Sequence, residues 1–315
     1  MNKILVIKHG ALGDVVLATG PFQAIRRHHP GDHLTLLTTP AYAGLLRQSR
    51  YFDEIWIDTR PKLYNIFAFL GLIRKINRAG FTRIYDMQTS ERTSWYHRLL
   101  SDPKPEWVGT ARGASHLHDT PERKRMHTIE RQKQQLAVAG IDDMPKPDVS
   151  WLTADVSRYG LPSRYALIIP GGSSHRPGKR WPASHYATVC AWLVSQGITP
   201  VLIGTEAEAM VLSTIESLCR EVRNLQGQTN FAEIATLARG AHFAIGNDTG
   251  PMHLVAVAGA PCVVLFSSNS DPALCAPRGE KVSTLRVSCL ANLPPAQVIE
   301  EIRQFLTRSN EGGQI

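Results

Sequence analysis

The sequence predicts an α/β chain built from two doubly wound domains in tandem. Three observations carry this. Short, near-continuous apolar runs alternate with helix-length amphipathic stretches through the first half. The alternation breaks at the proline-rich segment "MPKPDVSWLTADVSRYGLPSR", Met144–Arg164. It then restarts with the same rhythm. At 315 residues the chain is long enough for two cores.

In the first half the strand runs are Lys3–Gly10, His33–Thr39, Glu54–Thr59 and Arg83–Gln88. Helices are expected over Val15–His28, Ala41–Gln48 and Leu63–Arg78 between them. In the second half the strand runs are Tyr165–Gly171, Thr199–Thr205, Val222–Gly227, His242–Asn247 and Cys262–Ser267. Helices are expected over Ala183–Gln196, Ala207–Cys219, Phe231–Arg239, Met252–Gly259 and Pro295–Thr307. The division is therefore residues 1–150, a linker at 151–164, and residues 165–315. The last helix is a candidate to pack back on the N-terminal domain. Two parallel sheets that face each other would line a central cleft with the carboxyl ends of their strands.

Composition narrows the function. Apolar residues make up 43% and charged residues 20%, as in soluble globular proteins. The net charge of +8 suits anionic partners. No Lys/Arg run or recognised motif supports nucleic acid, and the densest basic patch, "PERKRMH", is short. Five scattered cysteines without a Cys-x-x-Cys read as reduced thiols, and "KILVIKHG" reads as a first strand and not a leader, so a cytoplasmic location is expected. The longest apolar run, "IFAFLGLI", is too short to span a bilayer.

Three strand-end loops of the second half carry anion or ribose chemistry. In "AIGNDTGPMHL" a strand hands over to a helix through Asp248, Thr249 and Gly250. The helix start offers amides and a partial positive charge to a phosphate, with His253 one turn in. A plain turn capped by Asp248 or Thr249 is the alternative. "PGGSSHRPGKRWP" supplies glycines, Ser173, Lys179 and Arg180, yet fails the Walker pattern, with five residues between Gly172 and Gly178 and arginine in place of Ser/Thr. In "GTEAE" Glu208 could hold a ribose diol or simply start a helix. Together they point to a nucleoside diphosphate. The Gly-x-Gly-x-x-Gly fingerprint is absent, which disfavours a nicotinamide cofactor. In the first half, "KHGALGDVVLATGP" puts Asp14 after the first strand as a general base or a helix cap, with Lys8, His9 and Gly13 beside it. No Asp-x-Asp pair or histidine cluster suggests a metal, and "HLH" at His116–His118 reads as a loop.

These stretches resemble glycosyltransferase family 9, which contains the ADP-heptose:lipopolysaccharide heptosyltransferases. The resemblance rests on "GALGDVVLATGPFQAIR", "PGGSSHRPGKRWPASHYATV", "VLIGTEAE", the block around "NDTGPMHL" and "LFSSNSDP", and covers nearly the whole chain. It implies a GT-B fold, with the donor nucleotide on the second domain and the acceptor on the first. It implies an inverting, metal-independent transfer with no cofactor, from a nucleotide-linked sugar, ADP-heptose by analogy, to a lipopolysaccharide-core or related envelope glycan. It also implies work at the inner face of the membrane. It assigns Asp14 as base, Lys179 to phosphate, and Asp248, Thr249, Gly250, His253 and Glu208 to the donor. Lys8 departs from the family's usual arginine and Ser267 from its usual glycine. The rivals are a sugar-nucleotide epimerase on the same scaffold and a degenerate, non-catalytic binding subunit.

Overall fold

A computed structural model describes residues 1–60, 66–172 and 176–311. The chain divides into two compact units, Met1–Trp151 and Leu152–Ile315.

The first unit is one parallel sheet of six strands: β1 Lys3–Ile7, β2 His33–Thr38, β3 Glu54–Ile57, β4 Arg83–Asp86, β5 Glu106–Gly109 and β6 His116–Leu117. Their spatial order is β3-β2-β1-β4-β5-β6. The second unit repeats the plan with β7 Tyr165–Ile169, β8 Thr199–Leu202, β9 Arg223–Asn224, β10 Phe243–Asn247, β11 Cys262–Phe266 and β12 Val282–Arg286. There the order is β12-β11-β10-β7-β8-β9. Each is the doubly wound order in which the winding reverses beside the unit's first strand. The reversal leaves a crevice at the carboxyl ends of β1 and β4, and another at β7 and β10.

Burial follows position in the sheet. The central strands β7, β10 and β11 are buried at every residue, as strands covered by helices on both faces must be. The edge strand β12 alternates polar residues and stays partly exposed. Burying one aliphatic side chain such as Ile168 stabilises the fold by about 1.5–3 kcal/mol. The second core also takes Val298 and Ile302 of the closing helix Pro295–Glu311, so that helix packs within its own unit. The segment after Trp151 is bound to the same unit: Arg239 donates to the Leu152 carbonyl and the Ala154 amide to Thr236 Oγ1.

Several expectations change. The expected helix Val15–His28 is two helices, Leu12–Leu17 and Thr19–His28. Pro21 has no N–H to donate to the Leu17 carbonyl, so the ladder breaks there. The run Val222–Gly227 pairs only over Arg223–Asn224; Asn224 Oδ1 then accepts the Gln226 amide and Gly227 adopts φ +67°, a turn. His116 and Leu117 form the edge strand β6 and not a loop. The start of the expected helix Leu63–Arg78 lies partly outside the described residues; the helix is described over Ile66–Ala79. Strands β5, β6 and β12 and the helices Glu91–Leu99 and Thr128–Ala137 have weak apolar periodicity. The first of these helices buries Thr93, Tyr96 and His97 while Trp95 is exposed.

Candidate functional site

In the second unit, the sequence forces the loops after β7 and β10 together. Asn247, the last residue of β10, is fully buried and bonded on both sides. Its Nδ2 donates to the Pro170 and Gly171 carbonyls at 2.7 and 3.1 Å. Its Oδ1 accepts from the Trp181 amide at 3.1 Å and the Tyr186 hydroxyl at 3.0 Å. One amide side chain thus ties β7's exit, β10's exit and the start of the helix Ala183–Ser195. Across this strut Lys179 Nζ meets Asp248 Oδ2 at 2.5 Å, with the two side chains only 11% and 8% exposed.

The surrounding residues define what the crevice can hold. Thr249 is the N-cap residue of the helix Gly250–Val257, in extended conformation, and makes no side-chain cap bond. The cap role expected of Asp248 or Thr249 is therefore not filled: Asp248 is taken by Lys179, whose full positive charge attracts a carboxylate more strongly than an amide does. Gly250 opens the helix, Pro251 occupies its first turn, and His253 is buried one turn in. Glu208 closes a capping box, its Oε2 accepting the Thr205 amide at 2.7 Å and hydroxyl at 2.8 Å. Its other oxygen lies where a Cβ on Gly171 would stand, so a larger residue two positions past β7 would have to displace the Glu208 side chain. At Gly178 the Asn269 Nδ2 lies 2.5 Å from a would-be Cβ, so a substitution there would push the Asn269 side chain aside. Arg180 Nη2 donates to the Gly172 carbonyl at 2.6 Å and braces the loop. Ser173 lies outside the described residues.

In the first unit, Asp14 sits in the first turn of the helix Leu12–Leu17, whose N-cap is Ala11 and has no side-chain cap bond. The alternative of Asp14 as a cap is thus overturned: its carboxylate lines a cavity of about 250 Å³ at the exits of β1 and β4. Gly13 is buried behind it. Lys8 lines the same cavity, 4% exposed, with Nζ 3.2 Å from the Met87 carbonyl. Burial pushes the Lys8 pKa down, and Asp14 and Asp86 pull it partly back. His9 turns the other way, to Asp58 at 3.3 Å, where the Tyr96 hydroxyl and Arg92 also converge. It is a strand-end residue and no part of the cavity. Burial holds its imidazole below the ordinary range. Asp86 at the end of β4 is fully buried, and burial pushes its carboxyl up to about 6 although the Thr89 and Gln88 amides donate to it.

Sequence reasoning missed four participants: Asn247 as a strut, and Arg123, Arg131 and Gln132 on the cavity wall. Asn247 could have been found, since an asparagine ending an apolar strand needs partners for four hydrogen bonds. Arg123 lay within the noted "PERKRMH" patch, where it looked like solvated charge. Among the described residues no three His, Cys, Asp or Glu side chains gather as metal ligands would.

Comparison with known proteins agrees with this geometry. The model of glycosyltransferase family 9 (heptosyltransferase) matches residues 69–298, well over half of the chain. Lipopolysaccharide heptosyltransferase 2 of Escherichia coli K12 is 26% identical over 96% of this chain and 98% of its own length. The Salmonella typhimurium protein of the same name is 28% identical over a shorter stretch, 54% of this chain and 57% of its own length. A family 9 glycosyltransferase from Veillonella parvula superposes with TM-score 0.83 at 20% identity, covering 98% of this chain and 97% of that one. E. coli ADP-heptose lps heptosyltransferase II does so with TM-score 0.79 at 20% identity, covering 98% and 99%. At such identities the superpositions show the fold, and the family match over residues 69–298 shows the kinship: this chain belongs to glycosyltransferase family 9, the heptosyltransferase family.

Proposed function

We propose that the chain transfers a heptose from ADP-heptose to a lipopolysaccharide-core or related envelope glycan, inverting the anomeric centre and using neither metal nor cofactor. The observation that carries this is the Lys179–Asp248 pair, which joins the two loops that flank the start of the Gly250–Val257 helix. A pyrophosphate seated there would meet an ammonium group, helix-start amides and glycine backbone open to close approach. Asp248 holds the ammonium in register until the diphosphate takes its place beside it. Glu208 lies at the exit of β8, suited to the ribose, and His253 to the phosphates. The relatives' names supply the sugar and the ADP.

The chemistry follows from Asp14. Its carboxylate takes the proton of the acceptor hydroxyl as that oxygen bonds to the anomeric carbon. The bond from that carbon to the β-phosphate oxygen breaks on the opposite face, and ADP leaves with added negative charge. Lys179 and the helix start at Gly250 balance the charge.

Docking at the cytoplasmic leaflet is part of the reading. The helix Ile66–Ala79 exposes Ile66 and Phe67 at its start and carries Arg74, Lys75 and Arg78 further on. An apolar tip with a basic flank suits an anionic lipid surface. No described helix is long and apolar enough to cross a membrane.

The test is product analysis with ADP-heptose, with and without a heptose-deficient lipopolysaccharide acceptor, in the presence and absence of EDTA. Transfer that needs acceptor and survives EDTA is the expected result. Turnover of the donor without acceptor would instead mark an epimerase, and loss of transfer in EDTA would sink the metal-free scheme.

A further inference from the structure

The loop that carries Asp14 leaves β1 and is held from the side by the exit of β2. Thr39, the residue after β2, donates through Oγ1 to the His9 carbonyl at 2.8 Å. Thr39 is also the N-cap residue of the helix Pro40–Arg47, which puts Tyr42 in that helix's first turn. The Tyr42 amide donates back to the Thr39 carbonyl at 3.1 Å. The half-buried Tyr42 ring lies against Gly10. A Cβ on Gly10 would stand 2.6 Å from Tyr42 Cε2, and Gly10 has φ +140°, a conformation that other residues rarely adopt. Glycine at this position lets the ring come against bare backbone.

The phenol of the same residue reaches the next helix. Its oxygen accepts a hydrogen bond from the Leu12 amide. Leu12 opens the helix Leu12–Leu17, and its amide is one of the donors that a helix start leaves without a partner in its own ladder. The N-cap residue, Ala11, has no side-chain oxygen to offer. Tyr42, from another helix, does the capping instead. This bears on Asp14, which sits in the same first turn. An aspartate there bonds readily to the free amides beside it. Yet the Asp14 carboxylate lines the cavity at the exits of β1 and β4. With the phenol on the Leu12 amide, that local partner is closed to it. Burial raises the Tyr42 pKa, the Leu12 amide pulls it partly back, and the nearby charge of Asp14 raises it again.

We propose that Tyr42 is the positioning residue of Asp14: its hydroxyl caps the Leu12 amide and its ring seats the Gly10 backbone, so that the carboxylate points into the cavity and not back at its own helix. The inference rests on the reading of Asp14 as the base, and it adds the group that aims that base. Tyr42 neither gives nor takes the proton that moves to Asp14. Its contribution is geometric, and geometry at the reacting atoms governs the rate.

The experiment compares the full chain with its Tyr42→Phe variant, which keeps the ring on Gly10 and removes only the hydroxyl. The readouts are transfer from ADP-heptose to the heptose-deficient acceptor, ADP affinity, amide exchange at Leu12 by NMR, and a crystal structure of each protein. In the variant kcat should fall about tenfold or more, as for a base held out of line, while acceptor KM and ADP affinity stay within about twofold. The Leu12 amide should exchange about tenfold faster or more, since its hydrogen bond is lost. The Asp14 carboxylate should turn out of the cavity onto the helix start. A residue that only packs would lose nothing with its hydroxyl, and one that only steadies the fold would not separate kcat from KM. The proposal is overturned if the variant turns over as wild type does, or if acceptor KM rises and ADP affinity falls along with kcat. It is equally overturned if Leu12 exchanges at the wild-type rate, or if Asp14 keeps its place in the variant crystal. If wild type itself transfers no heptose, the proposed function falls alone, and Leu12 exchange and the position of Asp14 still decide this inference.

Discussion

The two units have one topology and opposite electrostatic habits at the same topological place. At the β7/β10 crevice, charge is matched: Lys179 sits on Asp248, and the strands are laced by Asn247. At the β1/β4 crevice, Lys8, Arg123 and Arg131 line open space with Asp14, and Asp86 is buried beside Lys8. The first arrangement is preorganised around backbone: glycines at 171 and 178, and a helix start at Gly250. The second is made of long side chains from a helix and a 3₁₀ turn, Arg131 and Arg123. A doubly wound sheet says where a ligand goes and nothing about which ligand; the side chains at the crevice say that. On the proposed reading, chemistry belongs to the first crevice and nucleotide recognition to the second.

The most severe way to test that division is Asp14→Asn. Turnover should fall by about 10²–10⁴-fold, the range for losing a positioned base, with ADP affinity nearly intact. Parallel loss of both in steady-state and calorimetric measurements would erase the distinction between the crevices. Next in size is Asn247→Ala. It strands the Trp181 amide, the Tyr186 hydroxyl and two carbonyls in a dry core, at about 1–3 kcal/mol for each group that stays unsatisfied. The melting transition should drop by about 10 °C in calorimetry, taking about 2–4 °C per kcal/mol. A shift of a degree or two would show that the strut is dispensable. Lys179→Ala should weaken ADP by about tenfold or more, since a charge-assisted contact is lost. Part of that loss is offset, because the variant no longer breaks the ion pair to Asp248. Unchanged affinity would mean that the ammonium serves only Asp248.

What the sequence disclosed follows from which signals are local. The central strands were legible because covered parallel strands are apolar along their whole length, as in "YALII" and "CVVLF". The loops were legible because glycine, proline and capping residues act over three or four positions. Edge strand β6 has two residues and no pattern to read. The helix Thr128–Ala137 buries Thr128, Gln132 and Gln135, so its inner face is polar and its period is hidden. The cavity wall is therefore the part sequence reasoning could not see. Arg123 and Arg131 come together only when the 3₁₀ turn Pro121–Arg125 and the helix Thr128–Ala137, which follow β6, fold back beside Lys8. Asp14 was ambiguous for a different reason: a carboxylate in a first helical turn caps the helix or faces a cavity with the same local sequence, and only the structure shows that it makes no cap bond.

The smallest effect concerns Asp86, the buried neighbour of Lys8, and it has no counterpart at the β7/β10 crevice. Burial raises its carboxyl from the usual 3.8 to about 6 in the folded chain. The folded state therefore holds a proton that the unfolded state has released between those two values. Stability supplied by this group is greatest below about pH 4 and declines as pH rises through about 6, by roughly 3 kcal/mol at 1.36 kcal/mol per unit. Asp86→Asn keeps the amide-accepting oxygen for Gln88 and Thr89 and removes the titration. Urea melts of the two proteins between pH 4 and pH 7 should show a difference that grows in favour of the variant as pH rises. A constant difference across that range would mean that Lys8 and the loop amides hold the carboxylate ionised throughout. The charge of the crevice would then stay the same across that range.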